Sequence, residues 1–217
     1  MSDLSMKQQP KVPEPTLRRL PWYLAFLKLM QGQGESFVSS TQIAKEINVD
    51  SSQVAKDLSY VSITGKTRVG YEIATLIKVL EDFLGFPSRH KALLFGVGRL
   101  GAALLRDSGL QQYGVEIVAG FDTRKEIVGT SIDEIPVYHI SEFQQKQEEL
   151  QGTIGILTVP VEKAQEVTDD LISGGIKAIW NFTPFRIRVP EEIVVQNTSI
   201  YSHLAVMFNR MNSQNQG

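Results

Sequence analysis

The sequence predicts an α/β chain: a small, mainly helical domain of the winged helix-turn-helix type, then a doubly wound parallel sheet. Three observations carry this. Two short amphipathic segments flank a three-residue turn at Asn48-Val49-Asp50, which is the helix-turn-helix pattern. From Lys91 onward, short apolar runs alternate with helical periodicity, as a parallel sheet requires. One of those runs, KALLF (91–95), leads straight into Gly96-Val-Gly-Arg-Leu-Gly101.

The elements follow in order. Residues 1–15 are polar and Pro-broken, and read as a disordered tail. Thr16 is placed to cap a helix whose stripe is Leu17, Leu20, Leu24, Leu27 and Met30, with Pro21 as a kink or as the true start. Ser40 or Thr41 caps a helix burying Ile43, Ala44 and Ile47. Asp50 or Ser51 caps a second, burying Val54 and Leu58. Residues 62–71 (SITGKTRVGY) suit a hairpin wing carrying Lys66 and Arg68, and a helix over 72–84 follows. Gly85 to His90 is the expected boundary, which assigns 16–85 to the DNA-binding type of domain and 86–197 to the sheet domain. Within the second, strands are predicted at 91–95, 116–121, 136–140, 153–159, 177–182 and 192–197. Helices are predicted near 102–108, 141–150 and 161–175. A last helix over 198–211 carries Ile200, Leu204, Met207, Phe208 and Met211 on one face, and 212–217 is a tail.

Composition narrows the chemistry. The 217 residues hold no cysteine and three scattered histidines, so disulfides, thiolate catalysis and a Cys/His metal cluster are not expected. No apolar run approaches the ~18 residues of a membrane span, and the N-terminus lacks a signal-peptide centre. A cytoplasmic protein is expected. The net charge of −2 is unevenly shared: residues 1–70 carry nine basic and six acidic side chains, +3, which leaves −5 for the rest. Phosphate contacts need local cations, not a basic whole, so the first domain remains compatible with double-stranded DNA. Lys56, Lys66 and Arg68 are the candidate phosphate or groove contacts. Ser51, Ser52 and Gln53 open the second helix, where side chains reach base edges.

The glycine loop has the strand–turn–helix context of a dinucleotide site. Gly96 permits a tight turn, Gly98 lets the backbone approach a pyrophosphate, and Gly101 lets helix and strand pack closely. Asp122, 21 positions after Gly101 at the end of the next strand, suits ribose hydroxyls and favours NAD over NADP. Arg124 and Lys125 sit close enough to blur that preference. Thr158-Val159-Pro160 and Asn181-Phe-Thr-Pro184 end later strands, where ligands bind in such sheets. No catalytic residue is identified. His90, His139 and His203 read as structural or surface side chains, and Tyr138 and Lys163 lack the spacing of an acid–base pair.

The segments TLRRLPWYLAFLK (16–28), QVAKDLSY (53–60), GKTRVGY (65–71), LLFGVGRLGAALL (93–105), FDTRKEIVG (121–129), IPVYHISEF (135–143), ILTVP (156–160) and IKAIWNFTP (176–184) resemble, in this order, the bacterial redox-sensing repressor family Rex. The resemblance spans about residues 14–211. It implies a winged helix, a Rossmann domain binding NAD(H), and a C-terminal dimerisation helix swapped between the subunits of a homodimer. It also implies repression at a palindromic operator while NADH is low, and release by NADH. The cofactor residues it carries over are Gly96, Gly98, Arg99, Leu100, Gly101, Asp122, Thr158, Val159, Pro160 and Asn181. Three positions depart from the family pattern. Ala55 stands where an arginine is usual, Thr67-Arg68 replaces Arg-Gly in the wing, and Ser199 stands where an aspartate is frequent. The alternatives are a small NAD(P)-dependent oxidoreductase and a winged-helix regulator sensing another nucleotide, such as a CoA or adenylate.

Overall fold

The structure, a computed structural model, describes residues 12–63, 65–66 and 69–214. The expected wing contact Arg68 lies outside the described residues, as do residues 1–11 of the expected N-terminal tail and 215–217 of the C-terminal one. The chain falls into two compact units that divide between Pro87 and Ser88.

In the first unit, α1 (Glu14–Gly32) starts two residues before the expected cap, with proline tolerated in its first turn. Glu14 and Pro15 are therefore helix, not tail. Thr16 does not cap; it is buried, with its hydroxyl donated to Asp57 at 2.9 Å. The helix runs through Pro21, which cannot donate to the carbonyl of Leu17. Leu17 itself is 41% exposed, so the buried stripe is Leu20, Tyr23, Leu24, Leu27 and Met30. Next, α2 (Ser40–Ile47) is capped by Ser39, one residue earlier than expected. Its Oγ accepts from the Gln42 N–H at 3.1 Å, while the Gln42 side chain accepts from the Ser39 N–H at 2.8 Å. Asn48 closes α2 in the left-handed region at φ 55°, and α3 (Ser51–Ser59) begins after Asp50. The wing is pinned at its base where β1 (Phe37–Val38) pairs antiparallel with β2 (Tyr71–Glu72). Gly70, at φ +92°, passes so close to the Val38 carbonyl that a side chain there would collide with it. α4 (Ile73–Leu84) adds Leu76 and Leu80 to a core that also holds Leu20, Leu27, Ile43, Val54 and Leu58.

The second unit is a seven-stranded sheet in the order β5-β6-β4-β3-β7-β8-β9. The strands are β3 (His90–Phe95), β4 (Val115–Asp122), β5 (Ser131–Ile132), β6 (Ile135–His139), β7 (Ile154–Leu157), β8 (Ala178–Asn181) and β9 (Val194–Asn197). Every pairing is parallel except the edge hairpin β5–β6. Strand alternation divides the core between two faces. Leu93 and Phe95 join Phe121 and Leu157 on one side; Ala92 and Leu94 join Ile117 and Ile156 on the other. On the first side Phe95 and Phe121 stack with centroids 4.9 Å apart, and Phe143 of α6 (Phe143–Leu150) meets Phe95 edge-on at 5.1 Å. Val167 and Leu171 of α7 (Ala164–Ser173) share that side, and Leu105 of α5 (Arg99–Leu105) shares the other. α5 starts at the glycine loop itself, earlier than expected, and a 3-10 turn occupies Ser108–Tyr113. The strand order reverses between β3 and β7, which is where a doubly wound sheet opens a crevice. The last helix, α8 (Ile200–Gln214), reaches three residues into the expected tail and has no buried residue.

Candidate functional site

The carboxyl ends of β3, β4 and β7 converge on a pocket of about 660 Å³, ample for a large ligand. Gly96, Gly98, Asp122, Thr158, Val159 and Pro160 line it. Gly96 has φ +92°, and a Cβ there would meet the Thr158 carbonyl at 2.7 Å. At Gly101 a Cβ would strike the Gly96 carbonyl, so α5 can approach β3 only through a glycine. Gly98 differs: a Cβ there would meet nothing within 4 Å. Its lack of a side chain serves no internal contact and leaves open the space beside the loop. Thr158 braces the loop from β7, its hydroxyl donating to the Gly96 carbonyl at 2.7 Å.

Asp122 anchors the same loop from β4. Its Oδ2 accepts from the Val97 N–H at 2.7 Å, and its Oδ1 from the N–H groups of Thr123 and Arg124 at 2.8 and 2.9 Å. The Arg124 guanidinium adds Nε to Oδ1 at 3.1 Å and Nη2 to Oδ2 at 3.3 Å. Burial opposes the charge, but the bonds from Arg124 and from the Val97 amide outweigh it and hold the carboxyl below its ordinary value. Asp122 thus stays a carboxylate at the floor of the pocket.

The other expected residues are placed less uniformly. Arg99 is exposed at the start of α5, Leu100 is 38% exposed, and Gly101 lies behind the loop. The side chain of Asn181 is fully buried and is not among those that line the pocket. Its Nδ2 donates to the Phe185 carbonyl and to Asn197 Oδ1, both at 2.8 Å, and its Oδ1 accepts from Thr183. Asn181 therefore ties β8 to β9 and to the turn that follows it. Lys163 and Glu166, on the pocket wall, pair with each other at 2.7 Å. The Lys146 ammonium lies 4.8 Å from the Tyr138 ring centroid, so neither Tyr138 nor Lys163 waits for the other. His139 serves the turn before α6, its Nδ1 2.7 Å from the Ser141 hydroxyl. Among the described residues no group of side chains could hold a metal ion, and no helix is long and apolar enough to cross a membrane.

In the first unit, α3 exposes Ser52, Ala55, Lys56 and Ser59, with Ser51 half-buried at its start. Lys66 is exposed on the wing. Gln53 is partly turned inward, its Nε2 donating to Asp57 at 2.8 Å. Asp57 is the feature that sequence reasoning missed. Fully buried, it accepts from Thr16 Oγ1, Arg19 Nε and Nη2, and Tyr23 Oη at 2.6 to 2.9 Å, all from α1. Burial pushes its pKa up, yet the bonds from Arg19, Tyr23, Thr16 and Gln53 prevail and bring it down to about 2. The signal was present as an acid between the apolar positions Val54 and Leu58, but its partners on α1 are 34 to 41 residues away.

Comparison with known proteins adds names to this geometry. Residues 11–59 match a family model described as a putative DNA-binding protein N-terminus, and residues 88–185 one described as a CoA binding domain. The redox-sensing transcriptional repressor Rex of Bacteroides fragilis is 65% identical over 211 residues, covering 97% of this chain and 96% of its own. Rex of Treponema denticola is 41% identical, covering 92% of this chain and 97% of its own. Among solved structures, RSP in complex with β-NAD+ and operator DNA superposes with a TM-score of 0.89 at 27% identity, covering 94% of each chain. RSP in complex with β-NADH gives 0.85, also at 27% identity, covering 95% of this chain and 97% of that one. These relatives bear the name of a redox-sensing transcriptional repressor, the first of the expected readings and not the oxidoreductase alternative. With such identity sustained over nearly its whole length, the chain belongs to the Rex family of redox-sensing transcriptional repressors.

Proposed function

We propose that this chain acts as a homodimer that holds a palindromic operator while NADH is scarce and leaves it when NADH is bound. The observation that carries the cofactor half is the glycine loop at the strand-order reversal, with a space beside Gly98 that the protein leaves open and Asp122 ionised beneath it. Gly96, Gly98 and the start of α5 with Arg99 and Leu100 would face the pyrophosphate, Asp122 the adenosine ribose, and Thr158, Val159 and Pro160 the far end of the dinucleotide. When bound, the cofactor supplies a difference of charge, since the oxidised nicotinamide ring is cationic and the reduced ring neutral. Only unequal affinity of two protein arrangements for the two forms can then shift DNA binding.

On the DNA side, Lys56 and Lys66 would neutralise phosphates while Ser51, Ser52 and Gln53 present the start of α3 to the major groove. Arg68 belongs to the same proposal. The exposed apolar face of α8, with Ile200, Met207, Phe208 and Met211 each 46–53% exposed, supports a second copy as its cover. Residues 16–85 would then serve DNA, 86–197 the cofactor and 198–211 the dimer, in the cytoplasm where operator DNA lies.

The family model named for CoA favours one second reading, a different adenosine nucleotide. CoA carries a 3′-phosphate on the ribose that Asp122 would face as a free diol, and a carboxylate there repels it. The test is a fluorescence-anisotropy titration of a labelled palindromic Rex operator with NADH, NAD+ and CoA. Release by NADH at concentrations where NAD+ leaves the complex intact is expected. Equal release by both, or release by CoA alone, overturns the reading.

A further inference from the structure

We propose that Arg124 is a built-in competitor of the adenosine ribose, occupying the acceptor positions on Asp122 that the ribose hydroxyls need and so setting the cofactor concentration at which the site fills. This rests on the dinucleotide reading above and concerns the same pocket. A carboxylate offers about four lone-pair sites. Asp122 already meets five donors, three of them backbone N–H groups of Val97, Thr123 and Arg124. Those three belong to the loop and to the chain leaving β4, and Val97 is almost fully buried, so they stay in place. The Arg124 side chain is different. It is 52% exposed, and it reaches across the loop to donate to the Val97 carbonyl as well as to both oxygens of Asp122. A ribose diol that binds Asp122 must first lift this guanidinium away.

Charge and exposure limit how much the competition can weigh. The pair is open to water on the arginine side, and such pairs contribute little. Displacement therefore shifts affinity by a small factor and does not close the site. The adenosine end is common to NAD+ and NADH, so the shift applies equally to both. Arg124 would move the concentration threshold of the sensor and leave its redox discrimination alone.

The experiment is calorimetric titration of the full-length protein and its Arg124→Ala variant with NADH and with NAD+. Both dissociation constants are expected to fall about threefold in the variant, with their ratio unchanged. Raising salt from about 0.05 to about 0.5 M screens the pair, so the gap between the two proteins should narrow. Arg124→Lys, which keeps the charge without the two-pronged reach, should fall between them. Affinity that is unchanged or weaker in Arg124→Ala, or a gap indifferent to salt, overturns the proposal. If the parent protein binds neither dinucleotide, the cofactor reading fails and takes this inference with it.

Discussion

Each unit holds a carboxylate paired with an arginine, and the two are held in opposite ways. Asp57 is fully buried and closed in by side chains that reach it from another helix. Asp122 is 9% exposed, held chiefly by backbone N–H groups, and its arginine lies half in solvent at the mouth of a pocket. Where side chains supply every donor, all but that of Gln53 from another helix, the carboxylate locks α1 to α3 and has nothing left to offer a ligand. Where local backbone supplies most of them and one half-exposed side chain the rest, the carboxylate remains addressable. Chemical type does not separate a carboxylate that is closed off from one that is open to a pocket; the origin and exposure of the donors do.

The strongest way to break this contrast is Asp57→Asn. The amide removes the buried countercharge of Arg19 and turns an NH2 donor toward groups that themselves donate, at a cost of about 3 kcal/mol. Urea unfolding should show the first unit destabilised by that order and operator binding lost, while NADH titration of the same variant stays near that of the parent. Acid sharpens the point. The folded pKa of Asp57, about 2, lies below the ordinary carboxylate value of 3.8. Its contribution is complete above about pH 4 and is lost as pH falls through about 2, roughly 2 kcal/mol in all. That segment of the acid-unfolding profile should be missing from Asp57→Asn. A parent-like profile would show that Asp57 is no brace.

The pocket side predicts an intermediate effect. Gly98→Ala should fold with parent-like thermal stability, because its Cβ meets nothing and its φ of −72° suits alanine. It should nonetheless weaken NADH binding about tenfold by filling the space that lets backbone approach pyrophosphate. Asp122→Ala should weaken NADH similarly and leave cofactor-free operator binding largely intact. Loss of stability in Gly98→Ala without loss of affinity would make that glycine a packing residue like Gly101. The smallest effect belongs to Lys56→Ala. Operator affinity should fall about threefold, with the salt dependence of log K reduced by about one, and NADH affinity unmoved.

How far the sequence could be read follows from which forces are local. The helix-turn-helix was legible because Ile43, Ala44, Val54 and Leu58 announce their buried faces by spacing alone. The glycine loop was legible because Gly96 and Gly101 are demanded by nearby backbone, and Gly98, which no internal contact demands, falls between them at the spacing of the motif. The cap of α2 falls one residue early because Ser39 competes with neighbours of the same capping chemistry, and that of α1 falls three residues early, at Pro13, which makes no side-chain cap bond. Thr16 departs from the expected cap for a deeper reason. A threonine before an apolar run looks like a cap, and nothing nearby reveals an aspartate waiting 41 residues on.

By itself, then, the sequence determined the order of elements, the division of labour between two kinds of domain, and the place of the phosphate-type loop with its acid. Those rest on hydrophobic period and turn chemistry, which are written within a few residues. Only the tertiary structure decided which polar groups are spent internally and which remain for a ligand. It gave Asn181 to β9, Gln53 in part to Asp57, and the outer face of Asp122 to Arg124. A polar side chain must be satisfied once water is removed, and its partner is whichever donor the fold carries to it.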